Sequence, residues 1–236
     1  MAILFYSLSG ACLITALLQL RRIRHVRHQI MAFAFFTAAI GFAGYQLLID
    51  GLFLRYPHLF LVMNIFGIIA ITSMYYHARW LIDPKFTLAG PAVLTLFAVA
   101  SVYVALVIPF WYLSGDMKAL IIGEILTLKV LYTRNDPQLL GFSVFKLSNG
   151  YFALASIVTF ALSLRLILPR VQWGVSPRSP EFYAALSYGV CFVTVVLGTV
   201  AAIIDSLPLL VVCGVVLGGA IGGIYLVGAM FERKRG

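Results

Sequence analysis

The sequence predicts an all-α polytopic membrane protein, a seven-transmembrane helix bundle with its N-terminus outside and its C-terminus inside. Three observations predict it. Seven apolar stretches, each close to the length of a bilayer crossing, fill most of the 236 residues. Hydrophobic residues make up 62% of the chain and charged residues 11%, with a mean hydropathy of +1.02; a soluble domain carries about 25% charged residues. The basic residues, finally, favour alternate loops. A hydrocarbon core of roughly 30 Å needs about 20 helical residues per crossing. Lipid offers the backbone no hydrogen-bond partner, so each crossing must be a helix.

The first span, residues 2–20, has no positive segment before it, and its apolar run exceeds the core of a typical signal peptide. It therefore reads as a first helix inserted N-terminus first, not as a cleavable leader. The basic run RRIRHVRH follows as a short loop, and the second span covers 30–49. The third covers 59–80 and closes on MYYHARW, where Tyr76, Arg79 and Trp80 read as an interfacial belt of aromatic and basic residues. The fourth covers 88–113. Residues 114–150 are then an external loop. Within it, DMKALIIGEILTLKVLY (116–132) is apolar but interrupted by Lys118, Glu124 and Lys129. Those charges make a central crossing costly, and an interfacial amphipathic segment fits better; an eighth crossing is the structural rival. The remaining spans cover 151–168, 182–204 and 207–231, so the chain reads as a single transmembrane domain.

A net charge of +9 raises the question of nucleic acid, but the placement of the charges answers it. With the N-terminus outside, Arg21, Arg22, Arg24, Arg27, Arg79, Lys85, Arg165, Arg170, Arg178, Arg233, Lys234 and Arg235 lie inside. Outside lie Arg55, Lys118, Lys129, Arg134 and Lys146. Retention of Lys and Arg on the cytoplasmic side orients the chain. The basic loops then read as topology signals in contact with lipid headgroups, and no direct nucleic-acid binding by this segment is expected. Cys12, Cys191 and Cys213 all fall inside predicted helices. An odd number buried in lipid argues against a disulfide framework or a cysteine metal site.

The last span carries a row of small residues. Gly214, Gly218 and Gly222 recur at every fourth position, with Gly219 and Gly223 beside them. Such spacing lets another helix backbone approach closely. Packing against a neighbour in the same chain is the first expectation and a homodimer seam the second.

Chemistry is sparse. His25 and His28 form HxxH, but among arginines that would repel a cation. No HExxH, GxSxG or phosphate-binding loop occurs. None of the eight carboxylates lies at the middle of a span, and intramembrane ionisable groups are the usual mark of pumps and proton-coupled transporters. No span carries a mid-helix lysine, which excludes a retinal pigment. No enzyme activity, metal or cofactor is expected. A modestly polar outer half remains: Tyr45, Gln46, Asp50, Arg55, His58, Asn64, Asn149 and Asp205. Convergent polar groups of this kind suit a ligand site, and Tyr45, Gln46, Asp50, Asn64, Asn149 and Asp205 are its candidates.

The stretch GLFLRYPHLFLV and the third-span ending SMYYHARWLIDP resemble the N-terminal seven-helix sensor region of membrane-bound bacterial regulators with an AraC-type DNA-binding output, and of related spirochaete-type signalling proteins. The likeness includes the short basic first loop, the YPHL opening (Tyr56–Leu59), the aromatic and basic close of the third helix, and the long connection before the fifth. It spans most of the chain in layout and about 30 residues in wording. Two departures stand out: Leu61–Ser73 lacks a proline, and no output domain follows FERKRG. The resemblance implies a sensor module of the bacterial inner membrane. It would detect a small or lipophilic signal and pass it to a cytoplasmic partner or to an output domain outside this sequence. The alternative is a non-catalytic scaffold or accessory subunit binding a partner through the last helix; a small-molecule transporter ranks third.

Overall fold

The computed structural model describes residues 2–21, 26–49, 58–83, 85–88, 90–113, 138–139, 142–171, 179–204 and 206–235. Among the described residues the secondary structure is helical apart from one very short strand pair. Its long helices among the described residues are α1 (Ala2–Leu20), α2 (Val26–Ile49), α3 (His58–Ile82), α4 (Gly90–Leu113), α5 (Val144–Ile167), α6 (Pro180–Ile203) and α7 (Leu207–Arg235). Strands β1 (Gln138–Leu139) and β2 (Phe142–Ser143) pair antiparallel, with Gln138 opposite Ser143, and lead into α5. A 3₁₀ turn, Leu168–Arg170, ends α5.

These segments are helical because an apolar surround leaves the backbone to satisfy itself. Their hydroxyls join in: Thr15, Thr37, Thr72, Ser156, Ser163 and Thr199 each donate to the carbonyl four residues back, which removes the cost of a bare hydroxyl. Helix α6 starts where Ser179 Oγ accepts the Phe182 N–H at 3.1 Å and Pro180 occupies the first turn, an N-cap followed by the residue best suited to the first helical position. Among the described residues, three stretches are long and apolar enough to cross a membrane: Gly150–Arg170, Pro180–Ala201 and Val212–Lys234. The outer surface carries large apolar side chains such as Leu94, Phe97, Leu154, Val215 and Leu226. This is the architecture of a helical membrane protein, whose solvent is lipid.

Consecutive helices pack together from α1 to α4 and from α5 to α7, and α3 also packs on α5. The main core joins α2, α3, α5, α6 and α7 through Met31, Met74, Leu81, Phe160, Tyr188 and Ile224. A second core joins α2, α3 and α4 through Ile30, Ile69, Tyr76 and Leu96.

Three boundaries differ most from expectation, the first being the end of α7, which reaches Arg235 and not residue 231. Helix α2 starts at Val26 and not at residue 30, and α5 starts at Val144 and not at residue 151. A helix continues past its apolar run while nothing interrupts its hydrogen bonds, whereas the hydropathy signal ends where the apolar run does. Arg27 and His28 thereby leave the loop for α2. Residues 116–132, including Lys118, Glu124 and Lys129, lie outside the described residues.

Candidate functional site

At the end of the bundle where α1 passes into α2, five polar side chains from three helices interlock. Gln19 stands in the last turn of α1, Arg27 and His28 in the first turn of α2, and Tyr225 and Glu232 near the end of α7. Arg27 is 2% exposed, and a buried guanidinium needs compensation on every side. One terminal nitrogen pairs with the Glu232 carboxylate. The other donates to the Tyr225 carbonyl at 3.0 Å. The guanidinium also lies over the rings of Tyr225 and Trp80, 5.5 and 5.9 Å from their centroids, a cation–π arrangement.

His28 extends the group. Its Nδ1 is 2.6 Å from Gln19 Oε1 and its Nε2 is 3.2 Å from Glu232 Oε1. Both ring nitrogens face oxygens, so the doubly protonated ring is the form that donates to each. Gln19 Nε2 in turn donates to Tyr225 Oη at 3.0 Å. Tyr225, Gly228 and Glu232 stand at i, i+3 and i+7, one face of α7. A Cβ at Gly228 would lie 2.6 Å from Arg27 Nε and 3.0 Å from its Cζ, so a larger residue there would make the guanidinium shift. A second tie, Lys234 Nζ to Glu181 Oε1 at 2.8 Å, binds α7 to α6 at the same end.

A shorter chain of polar groups runs between α3 and α6. Tyr188 Oη donates to the Met74 carbonyl at 3.0 Å, so it accepts from His77 Nδ1, also 3.0 Å away. This fixes the His77 tautomer and leaves Nε2 a bare lone pair, buried without a hydrogen-bond partner; Arg27 Nε is likewise unpaired. His77 reaches the Trp80 ring at 5.9 Å, so Trp80 lies between the two groups.

Two expectations are overturned at this end. Arg27 is no loop cation lying against headgroups, because α2 begins before it and α7 supplies a carboxylate. Tyr76 and Trp80 form no interfacial belt: they are 5% and 8% exposed. Tyr76 stacks on Phe86 at 5.9 Å and Trp80 joins the main core, since α2, α4, α5, α6 and α7 surround this end of α3. Sequence reading missed the cluster itself. Its available signal was Glu232 following Gly228 and Tyr225 on one face of α7, with an Arg–His pair far upstream to complement it.

The expected ligand residues are not placed here. Asp50 and Asp205 lie outside the described residues, as do the side chains of Tyr45, Gln46, Asn64 and Asn149, whose backbones belong to α2, α3 and α5. Within the glycine row, Gly214, Gly218, Gly219 and Gly222 have no atom of the described residues within 4 Å of where a Cβ would stand. At Gly223 a Cβ would meet Ser187 Oγ at 2.9 Å. Helix α7 thus meets its own chain closely at Gly223 and Gly228, and not along the Gly214–Gly218–Gly222 row.

Among the described residues no three His, Cys, Asp or Glu side chains could hold a metal ion together. The cluster holds α7 against α2: a buried cation, with an imidazole beside it, grips one carboxylate near the end of the last helix. Comparison with protein-family models, curated proteins and solved structures found no match to the chain.

Proposed function

We propose that the chain is a seven-helix sensor or receptor module of the bacterial inner membrane, with its N-terminus outside and its C-terminus inside. A small or lipophilic signal is received in the outer half, and α7 carries the response inward to a cytoplasmic output. The observation that supports this reading is the tie between Arg27, His28 and Glu232. Burying an ion pair adds little net stability, and its best-attested use is to fix a register or a switch. Here it joins the first hairpin to the last helix, the element that leaves the membrane on the inner side in this topology. Tyr45, Gln46, Asp50, Asn64, Asn149 and Asp205 are the proposed ligand residues at the opposite end.

The test is a dimerisation-dependent reporter domain fused behind residue 236. Glu232→Gln leaves α7 in place but weakens its hold on α2, so reporter output is expected to change several-fold while insertion stays normal. An unchanged output in a folded, inserted protein sinks the sensor reading. A second reading, a scaffold that binds a partner helix through α7, is favoured by one observation: the open space along Gly214, Gly218 and Gly222, which suits a close helix approach.

A further inference from the structure

The second core, between α2, α3 and α4, is not filled. A hollow of about 180 Å³ lies where the three helices meet. Helices α2 and α4 both pack on α3, which lines the hollow with Ile69 and Ser73. Helix α2 lines it with Ile30 and Phe33, and α4 with Leu96 and Phe97. Phe33 is 37% exposed and Phe97 62%, so these two rings stand at its mouth, on the outer surface of the bundle. The surface the hollow presents is almost wholly apolar. Two polar residues border it, and both are engaged. Ser73 Oγ donates to the Ala70 carbonyl at 2.5 Å, and Gln29 has a partner of its own.

We propose that this hollow binds a small uncharged aromatic molecule that reaches it from the lipid. An ordered water needs several polar partners, which this lining does not offer. Left empty, the hollow forfeits the contacts of every atom around it. No charged residue lines it, so nothing there compensates a charged guest. Size then decides between apolar occupants. On each helix the lining falls within about one turn, residues 29–33, 69–73 and 93–97, with Leu88 beyond, and a turn rises only about 5.4 Å. An extended acyl chain needs a groove several turns long, whereas a single ring fits one turn. Cavities of roughly 150 Å³ lined by Leu, Ile and Phe stay dry and bind benzene. Phe33 and Phe97 can also meet a guest ring edge to face, a contact that a saturated chain does not return. The inference needs only that the chain lies in a membrane. It goes beyond the sensor reading, whose ligand residues stand at the opposite end of the bundle.

The test uses the full chain in nanodiscs of dioleoylphosphatidylcholine and follows fluorobenzene by its fluorine NMR signal. A saturable component is expected above the linear partitioning shown by protein-free nanodiscs. Excess benzene should displace it, and an equal excess of oleic acid should not. Val93→Phe and Ser73→Leu add carbons to the hollow from two different helices, and each is expected to abolish the saturable component. Val102→Phe, at an exposed position of α4 outside the hollow, is expected to keep it. Circular dichroism shows which variants fold; where neither filled variant does, displacement from the parent chain decides. Purely linear partitioning in the parent overturns the proposal. So does a saturable component that survives in a folded Val93→Phe or Ser73→Leu, or one that is lost in Val102→Phe. Displacement by oleic acid as effective as that by benzene also overturns it, because the occupant is then an acyl chain.

Discussion

Arg27 has its charge in a place where water cannot reach it, so its surroundings decide whether it costs or contributes. Removing one partner of such a pair costs more than removing the charge itself. Glu232→Gln keeps the guanidinium buried and takes away its carboxylate, and is expected to cost about 2 kcal/mol of stability in detergent; Glu232 is partly exposed, which keeps the figure below that of a fully buried pair. Arg27→Met preserves most of the volume and removes the need for compensation, so it should cost less than Glu232→Gln. Thermal unfolding of the two variants ranks them, and the reverse order would show that the cation contributes mainly through packing over Tyr225 and Trp80. Gly228→Ala tests the same group from α7. Alanine gains up to about 1 kcal/mol of helix propensity over glycine, yet its Cβ would stand 2.6 Å from Arg27 Nε. A net loss of stability is expected, and a gain would mean that Arg27 can leave its seat cheaply.

Helix α7 presents two kinds of glycine, and they should respond in opposite ways. At Gly218 a side chain enters open space, so Gly218→Leu is expected to leave monomer stability within about 0.5 kcal/mol. At Gly223 it meets Ser187 on α6, and Gly223→Leu should cost about 1–3 kcal/mol, as overpacking does. Thermal unfolding together with light scattering in detergent separates the outcomes. If Gly218→Leu dissociates a dimer whose protomers stay folded, the scaffold reading of α7 gains over the sensor reading. The row that stands out in the sequence is the one facing open space. Gly223 belongs to that run but points elsewhere, and Gly228 lies outside it, because regular spacing records only a helix face and not what stands opposite.

For the whole molecule, the proposed topology places the first loop inside and the long loop before α5 outside. Single cysteines at positions 25 and 136, in a chain freed of its three native cysteines, should label from opposite sides of the membrane in intact cells. The three crossings between those loops are an odd number and require it; labelling from one side would overturn the proposed arrangement. The eighth crossing over 116–132 would act after position 25 and before position 136, so the same measurement excludes it.

What the sequence by itself determined is the class, a helical membrane protein, and most helix limits, α1 at residues 2–20 among them. Hydropathy and run length are local properties, and a backbone in lipid has no choice but to coil on itself. Even so, the first turns of α2 and α5 extend beyond their apolar runs, and hydropathy alone therefore places Arg27, His28 and Asn149 in loops. Only the tertiary structure decided which polar residues are interior. Arg27 reaches a carbonyl 198 residues away at Tyr225, and His77 reaches a hydroxyl 111 residues away at Tyr188. Trp80 and Tyr76 carry the composition of a membrane interface, but the helices surrounding α3 enclose them. Burial at a helix end depends on which neighbours stand around it, and a one-dimensional pattern holds no record of those neighbours.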